Sequence, residues 1–319
     1  MKISKNAATY FTANLMTKFA AFFLIPVYTV FFTPTEYGIL NIIQISASFV
    51  FIFYTLGLRG ALTRFFFDHG YNSTGQKKLI GNILVFTFVV GFILSLTLTI
   101  FGNKISINFF KDVPFFPYLL IAVWTAFFRI FHQIKLTIFQ IKQKAFYYTL
   151  LDSGFILSNI IFTIIIVAFL KKGITGKIYL DIILISIFAI ISFISLLKDI
   201  KLNFDFKILK EPLKFSIPLI PHMLSGFLLS AIDRIFLEQI KDLHEVGLYS
   251  LAFNIAMILY IVIDAVRLSY TPYFNKKAIT EGDKAKPEFA KNTTYGFAIY
   301  AILGIIVTLF SKELIILVT

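Results

Sequence analysis

Long apolar runs dominate this chain, and polar residues gather in short breaks between them. Nine runs approach or exceed the length needed to cross a hydrocarbon core, about 20 residues of α-helix. They fall at roughly 9–32, 39–66, 79–101, 115–138, 146–170, 178–197, 214–237, 246–270 and 293–310. Proline and glycine punctuate the breaks, as in Thr33-Pro34-Thr35-Glu36-Tyr37-Gly38, where Tyr37 suits interfacial depth. The first run follows Lys2 and Lys5, as a signal peptide would, but it continues past Phe23 to Phe32. That is too long for a signal sequence and reads as a retained first helix. The final residues, Glu313-Leu314-Ile315-Ile316-Leu317-Val318-Thr319, read as the start of a tenth helix that stops before it can span. The expectation is a truncated chain.

Composition sharpens this picture. The chain is 58% hydrophobic and 15% charged, with a mean hydropathy of +0.84. Soluble domains average about 25% charged residues and have too little interior for so many Phe, Ile and Leu side chains. An all-α polytopic membrane protein follows. With no cysteine, disulfides and thiol chemistry are excluded. The net charge of +13 would suggest nucleic acid in a soluble protein. Here the basic residues crowd short loops, so membrane orientation explains them and no nucleic-acid partner is expected. The N-terminus and the loops after segments 2, 4, 6 and 8 hold 16 of the 30 Lys and Arg, against 7 in the remaining loops. That bias predicts a cytoplasmic N-terminus. Lys171-Lys172-Gly173 through Lys177 fits it least well.

A repeat is visible. Glu36-Tyr37-Gly38-Ile39-Leu40 recurs as Glu245-Val246-Gly247-Leu248-Tyr249, 209 residues later. A proline-bearing segment precedes each copy, with Pro26 in the first and Pro218 and Pro221 in the second. Segments 1 and 7 are six apart, so both start on the same side. This predicts a parallel repeat about an axis along the membrane normal. Residues 1–200 form a six-helix N-terminal lobe in this reading. Residues 201–319 form a second, incomplete lobe of about three helices and the start of a fourth.

Charges inside the spans point to function. Lys18, Arg59, Arg64, Arg129, Lys135, Arg234 and Arg267 fall within apolar runs, as do Asp152, Asp233, Asp264 and His132. Each central charge costs on the order of 3 kcal/mol in a membrane. Arg64 and Lys135 lie near segment ends and can snorkel. The other five cations need pairing or an aqueous cavity. Asn41, Gln44, Ser48, Thr55 and Arg59 keep to one helical face, and Arg129, Gln133 and Gln140 repeat the pattern beside His132. Asn14 and Lys18 are four apart, His222, Ser225 and Asp233 share a side, and Asp264 with Arg267 could pair. These groups either join helices together or line a cavity. Lys18, Arg59 and Arg129 have no acid within reach on their own segments, and such an excess of cations suits an anionic, phosphate-bearing substrate.

No catalytic or metal motif stands out. His69, His132, His222 and His244 are scattered, and no glycine-rich phosphate loop ends in Lys-Ser or Lys-Thr. The largest break, Thr271–Asn292, reads as a solvated linker too short for an enzyme domain. No enzyme and no cofactor are expected.

The N-terminal stretch Asn6-Ala7-Ala8-Thr9-Tyr10, Phe23-Leu24-Ile25-Pro26-Val27-Tyr28-Thr29, Glu36-Tyr37-Gly38, and Leu56-Gly57-Leu58 with Arg64 resembles the opening of Wzx-type polysaccharide biosynthesis flippases. So does Lys214-Phe215-Ser216-Ile217-Pro218-Leu219-Ile220-Pro221-His222, followed by Asp233-Arg234 and Val246-Gly247-Leu248-Tyr249-Ser250. The likeness covers nearly the whole chain and places it in the superfamily that also holds the multidrug exporters called MATE proteins. It implies a MATE-like, two-lobe helical bundle with a cationic cavity, usually of twelve or fourteen helices. Charged positions carried over from that family would be Lys18, Arg59, Asp233, Arg234 and Arg267. The function implied is flipping an undecaprenyl-diphosphate-linked oligosaccharide, an O-antigen or capsule repeat unit, across a bacterial plasma membrane. Membrane lipids and polysaccharide polymerase machinery are the other partners implied. A MATE-type cation antiporter is the nearest alternative, against which stand the absence of an acid from segment 1 and the surplus of cations. A membrane polysaccharide polymerase or glycosyltransferase is a further alternative, and it usually needs a large loop or soluble domain.

Overall fold

The computed structural model describes residues 23–69, 74–202 and 204–318. The described chain is helical, and its helices follow the apolar runs. They are α1 (described over 23–31), α2 (Pro34–Thr55), α3 (Leu58–Phe65), α4 (Thr74–Ser106), α5 (Leu120–Ile141), α6 (Ala145–Ile164), α7 (Gly173–Leu196), α8 (Phe206–Ser216), α9 (Ile220–Ile240), α10 (Leu243–Glu281), α11 (Lys286–Leu309) and α12 (Ser311–Val318). A π-helical turn, Phe115–Leu119, leads into α5, and another, Ile165–Phe169, closes α6. Among the described residues, seven helical segments are long and apolar enough to cross a membrane. Their outer faces are apolar, as lipid requires. On α7, Ile183, Ile187, Ile190 and Ile194 form an exposed stripe at helical spacing.

The chain packs as two compact units, Met1–Leu248 and Tyr249–Thr319. In the first, α5 is central and packs against α2, α4, α6 and α7. Rings interlock along the α4–α5 seam, where Phe88, Phe92, Trp124, Phe127 and Phe131 meet edge-on or tilted. Polar side chains inside this core find partners: the Ser95 hydroxyl donates to Tyr54 Oη at 2.8 Å, and Trp124 Nε1 donates to Thr99 at 3.2 Å.

Residues 33–38, expected as a turn, are the start of a helix. Thr33 caps α2, and Thr33 and Glu36 form a reciprocal capping box with Pro34 in the first turn. The run at 39–66, expected as one helix, is broken in two. Leu56 and Gly57 both take positive φ, 46° and 70°, ending α2 and redirecting the chain into α3. Thr271–Asn292, expected as a loop, is largely helical. α10 runs on through its Lys, Ala and Glu residues to Glu281, and a single turn at Gly282–Ala285 precedes α11. In this second unit Phe274 meets Phe289 in a tilted ring pair at 4.4 Å, and Tyr273 and Lys277 reach Glu288, tying α10 to α11.

The first unit is fastened at both ends. At one end Lys135 and Lys142 both donate to Asp199 at 2.7 Å. Lys201 N–H donates to Lys77 O at 3.0 Å, and Asp205 N–H to Asn82 Oδ1 at 2.6 Å, so the link from α7 to α8 is strapped across the start of α4. Burial would raise the Asp199 carboxyl, but the hydrogen bonds and charges of the two lysines outweigh it and hold the group below its ordinary value.

At the opposite end Glu238, fully buried at the end of α9, accepts backbone N–H groups of Lys111 and Asp112 at 2.8 and 2.6 Å. The two copies of the repeat meet there. A Cβ on Gly38 would lie 2.1 Å from Leu243 O, and one on Gly247 would lie 1.8 Å from Pro34 O. Each hypothetical Cβ also lies 3.2 Å from the other glycine's nitrogen. Pro34 and Leu243, like Gly38 and Gly247, are 209 residues apart, so the contact is reciprocal. Ile42, Val113, Phe115, Leu119, Leu243 and Val246 pack around this end.

Candidate functional site

The break at Leu56-Gly57 sets the position of Arg59. Freed from the line of α2, its guanidinium turns to α5, where Nε donates to Thr137 Oγ1 at 2.8 Å and Nη1 to Gln133 Oε1 at 2.9 Å. Arg129, Gln133 and Thr137 are four apart and share one face of α5. Arg129 lies over the Phe51 ring at 5.2 Å and feels the charges of both Arg59 and Asp152. Two guanidiniums, an amide and a hydroxyl thus line one track between α3 and α5.

Behind this track lies an ionisable pair. His132 is 2% exposed, sits against the rings of Phe155 and Phe188, and its Nε2 is 3.9 Å from Asp152 Oδ1. That is too long for a hydrogen bond, and neither imidazole nitrogen has a hydrogen-bond partner.

The remaining candidates are placed as follows. Lys18, with Asn14, lies outside the described residues. Arg234 is buried on α9, with Nη1 donating to Ser230 O at 2.8 Å and its backbone N–H to Asp233 Oδ1 at 2.9 Å. Arg267 and Asp264 fall on α10 in the second unit, where their side chains lie outside the described set. The expected polar face Asn41–Arg59 does not continue as one helical stripe, because the chain is redirected between Thr55 and Arg59. Asn41 and Thr55 instead turn onto their own backbone, donating to Tyr37 O at 2.8 Å and Phe51 O at 3.0 Å. Among the described residues no group of three or more His, Asp and Glu side chains could hold a metal.

Two buried charges escaped the sequence reading. Lys177, counted as a loop residue, is on α7, 2% exposed, and donates to Asp181 at 2.5 Å and Asn159 at 3.1 Å. The i, i+4 spacing of Lys177 and Asp181 was the available signal. Removing this paired lysine from the loop count also improves the charge asymmetry. Glu238 carried only a faint mark, an acid at the end of an apolar run.

Comparison with known proteins agrees with this architecture. The model of a family described as "Polysaccharide biosynthesis protein" matches residues 3–276. A protein of the Lsg locus of Haemophilus influenzae is 23% identical over 322 residues, covering 99% of this chain and 76% of the relative. An uncharacterised membrane protein of the same organism is 26% identical over 284 residues, covering 87% of this chain and 66% of the relative. The chain therefore spans about two thirds to three quarters of the length of these relatives. Among solved structures, an inward-facing multidrug resistance MATE family transporter of the MOP superfamily superposes with a TM-score of 0.66 at 18% identity, covering 95% of this chain and 72% of that one. A MATE protein in complex with MaL6 gives 0.61 at 14%, covering 95% and 71%. At these identities the likeness shows a shared fold.

Proposed function

The chain belongs to the polysaccharide biosynthesis protein family, and from that premise we propose that it moves an undecaprenyl-diphosphate-linked oligosaccharide from the inner to the outer leaflet of a bacterial plasma membrane. Family and fold together support a multi-pass membrane transporter rather than an enzyme. The observation that carries the finer reading is the track formed by Arg59, Gln133, Thr137 and Arg129. Guanidinium forks match phosphate oxygens in geometry and charge, and each desolvated contact of this kind is strong. Arg59, exposed at the start of α3, meets the diphosphate first, and Arg129 receives it deeper. Gln133 and Thr137 hold Arg59 in place before substrate arrives, and the half-buried Gln133 offers its amide to sugar hydroxyls. The lipid tail stays in the bilayer. Lys18, Asp233, Arg234 and Arg267 are proposed as further substrate contacts. A cytoplasmic N-terminus puts the Lys135–Asp199–Lys142 end inside, where the lipid-linked unit is made. An inside-negative potential then favours outward movement of the anion by about 2.3 kcal/mol per charge per 100 mV.

The test is charge reversal. Arg59→Glu and Lys18→Glu should each abolish surface polysaccharide in a strain lacking its own flippase, with membrane insertion unchanged on immunoblots. Wild-type export from both variants would remove the cationic site from the mechanism.

A further inference from the structure

The pair behind the arginine track has no role in the scheme above. Asp152 interacts electrostatically with Arg129 on one side and faces the His132 imidazole on the other. The imidazole is buried, its nitrogens unpartnered, and the 3.9 Å gap to the carboxylate stands where a hydrogen bond would form on protonation. Asp152 is 16% exposed at its side chain, so the pair is largely enclosed by the first unit. We infer that His132 and Asp152 form a proton-binding site that sets the anion affinity of Arg129.

This rests on the anion-site reading. The charged groups near the imidazole are Asp152 from α6, Arg129 and Lys135 on α5, and Arg59 from α3. Those of α2, α4 and α7 sit toward the helix ends: Glu36, Lys77, Lys78, Lys104, Lys177 and Asp181. With His132 neutral, Asp152 is the counter-charge of Arg129 and competes with an incoming phosphate. A proton settling on the imidazole converts His132–Asp152 into a self-compensated pair. Arg129 is then left as an unopposed cation. Affinity for a diphosphate therefore rises as pH falls.

The experiment is calorimetric titration of the purified full chain with a short-chain polyprenyl-diphosphate sugar. As a diphosphodiester, this probe keeps a constant charge between about pH 8 and about pH 5, so a change in affinity over that range reports on the protein. Wild type should bind about tenfold tighter at the lower pH, the size expected for removing one opposing charge in a partly screened site. H132N should bind as wild type does at about pH 8 and show no tightening. D152N should bind about tenfold tighter at about pH 8 and also lose the pH slope. These opposite effects separate the pair from a folding defect. Tightening preserved in H132N, or unchanged affinity in D152N, would overturn this inference alone. Absence of binding by any form at any pH would overturn the anion site and this inference with it.

Discussion

Asp199 is the residue on which one end of the first unit turns. It takes both Lys135, 3% exposed, and Lys142, so losing its charge strands a buried ammonium. Asp199→Asn should lower stability by about 3 kcal/mol near neutral pH, read as a fall in Tm in detergent. The sign of the pH dependence follows from the lysines' hold on the carboxyl. A depressed carboxylate stabilises the fold above its unfolded value, about 4, and that contribution fades as pH falls through the lower folded value. The gap between wild type and variant should therefore narrow only in acid. Residues were legible in the sequence as types rather than as partners. Arg59 and Arg129 stand out because unpaired charges in apolar runs are costly. That Arg59 bonds Gln133 and Thr137, or that Lys177 is paired and not a loop charge, depends on which helices adjoin. Local spacing does not carry that.

At the scale of elements, the break between α2 and α3 is what brings Arg59 to α5. Gly57 has φ of 70°, and a Cβ there would lie 3.1 Å from Ser216 O of α8. Gly57→Val meets both the backbone penalty and this crowding, so a loss of about 2 kcal/mol is expected. Export should fall further than stability alone explains, because Arg59 is re-aimed. Measuring both Tm and surface polysaccharide separates the two effects. The apolar runs located the helices well, since lipid exposure demands unbroken hydrophobicity. They failed at breaks made by backbone conformation, as at Leu56-Gly57, which falls inside a single apolar run. They failed also at 271–281, where charge looked like a loop but Lys, Ala and Glu favour helix.

For the whole molecule, the strapped end with Lys77 and Lys201 and the opposite end with Asp112 and Glu238 should face different compartments. The chain has no cysteine, so single substitutions report cleanly. Lys201→Cys should react with a membrane-impermeant maleimide only after cells are permeabilised, and Lys241→Cys should react in intact cells. The reverse pattern would invert the proposed orientation. The helical membrane class could be read from sequence, because it leaves a long-range pattern in residue type. The reciprocal meeting of Gly38 with Gly247 could not, because contact across 209 residues leaves no mark in either segment alone. A residue that touches its own equivalent on a two-fold axis is the mark of an isologous dimer interface. The seam thus has the form of an isologous contact made within one polypeptide. The flanking positions are free to differ between the copies, as Tyr37 and Ile39 do from Val246 and Leu248. The two glycines share no such licence, because neither backbone leaves the other room for a side chain.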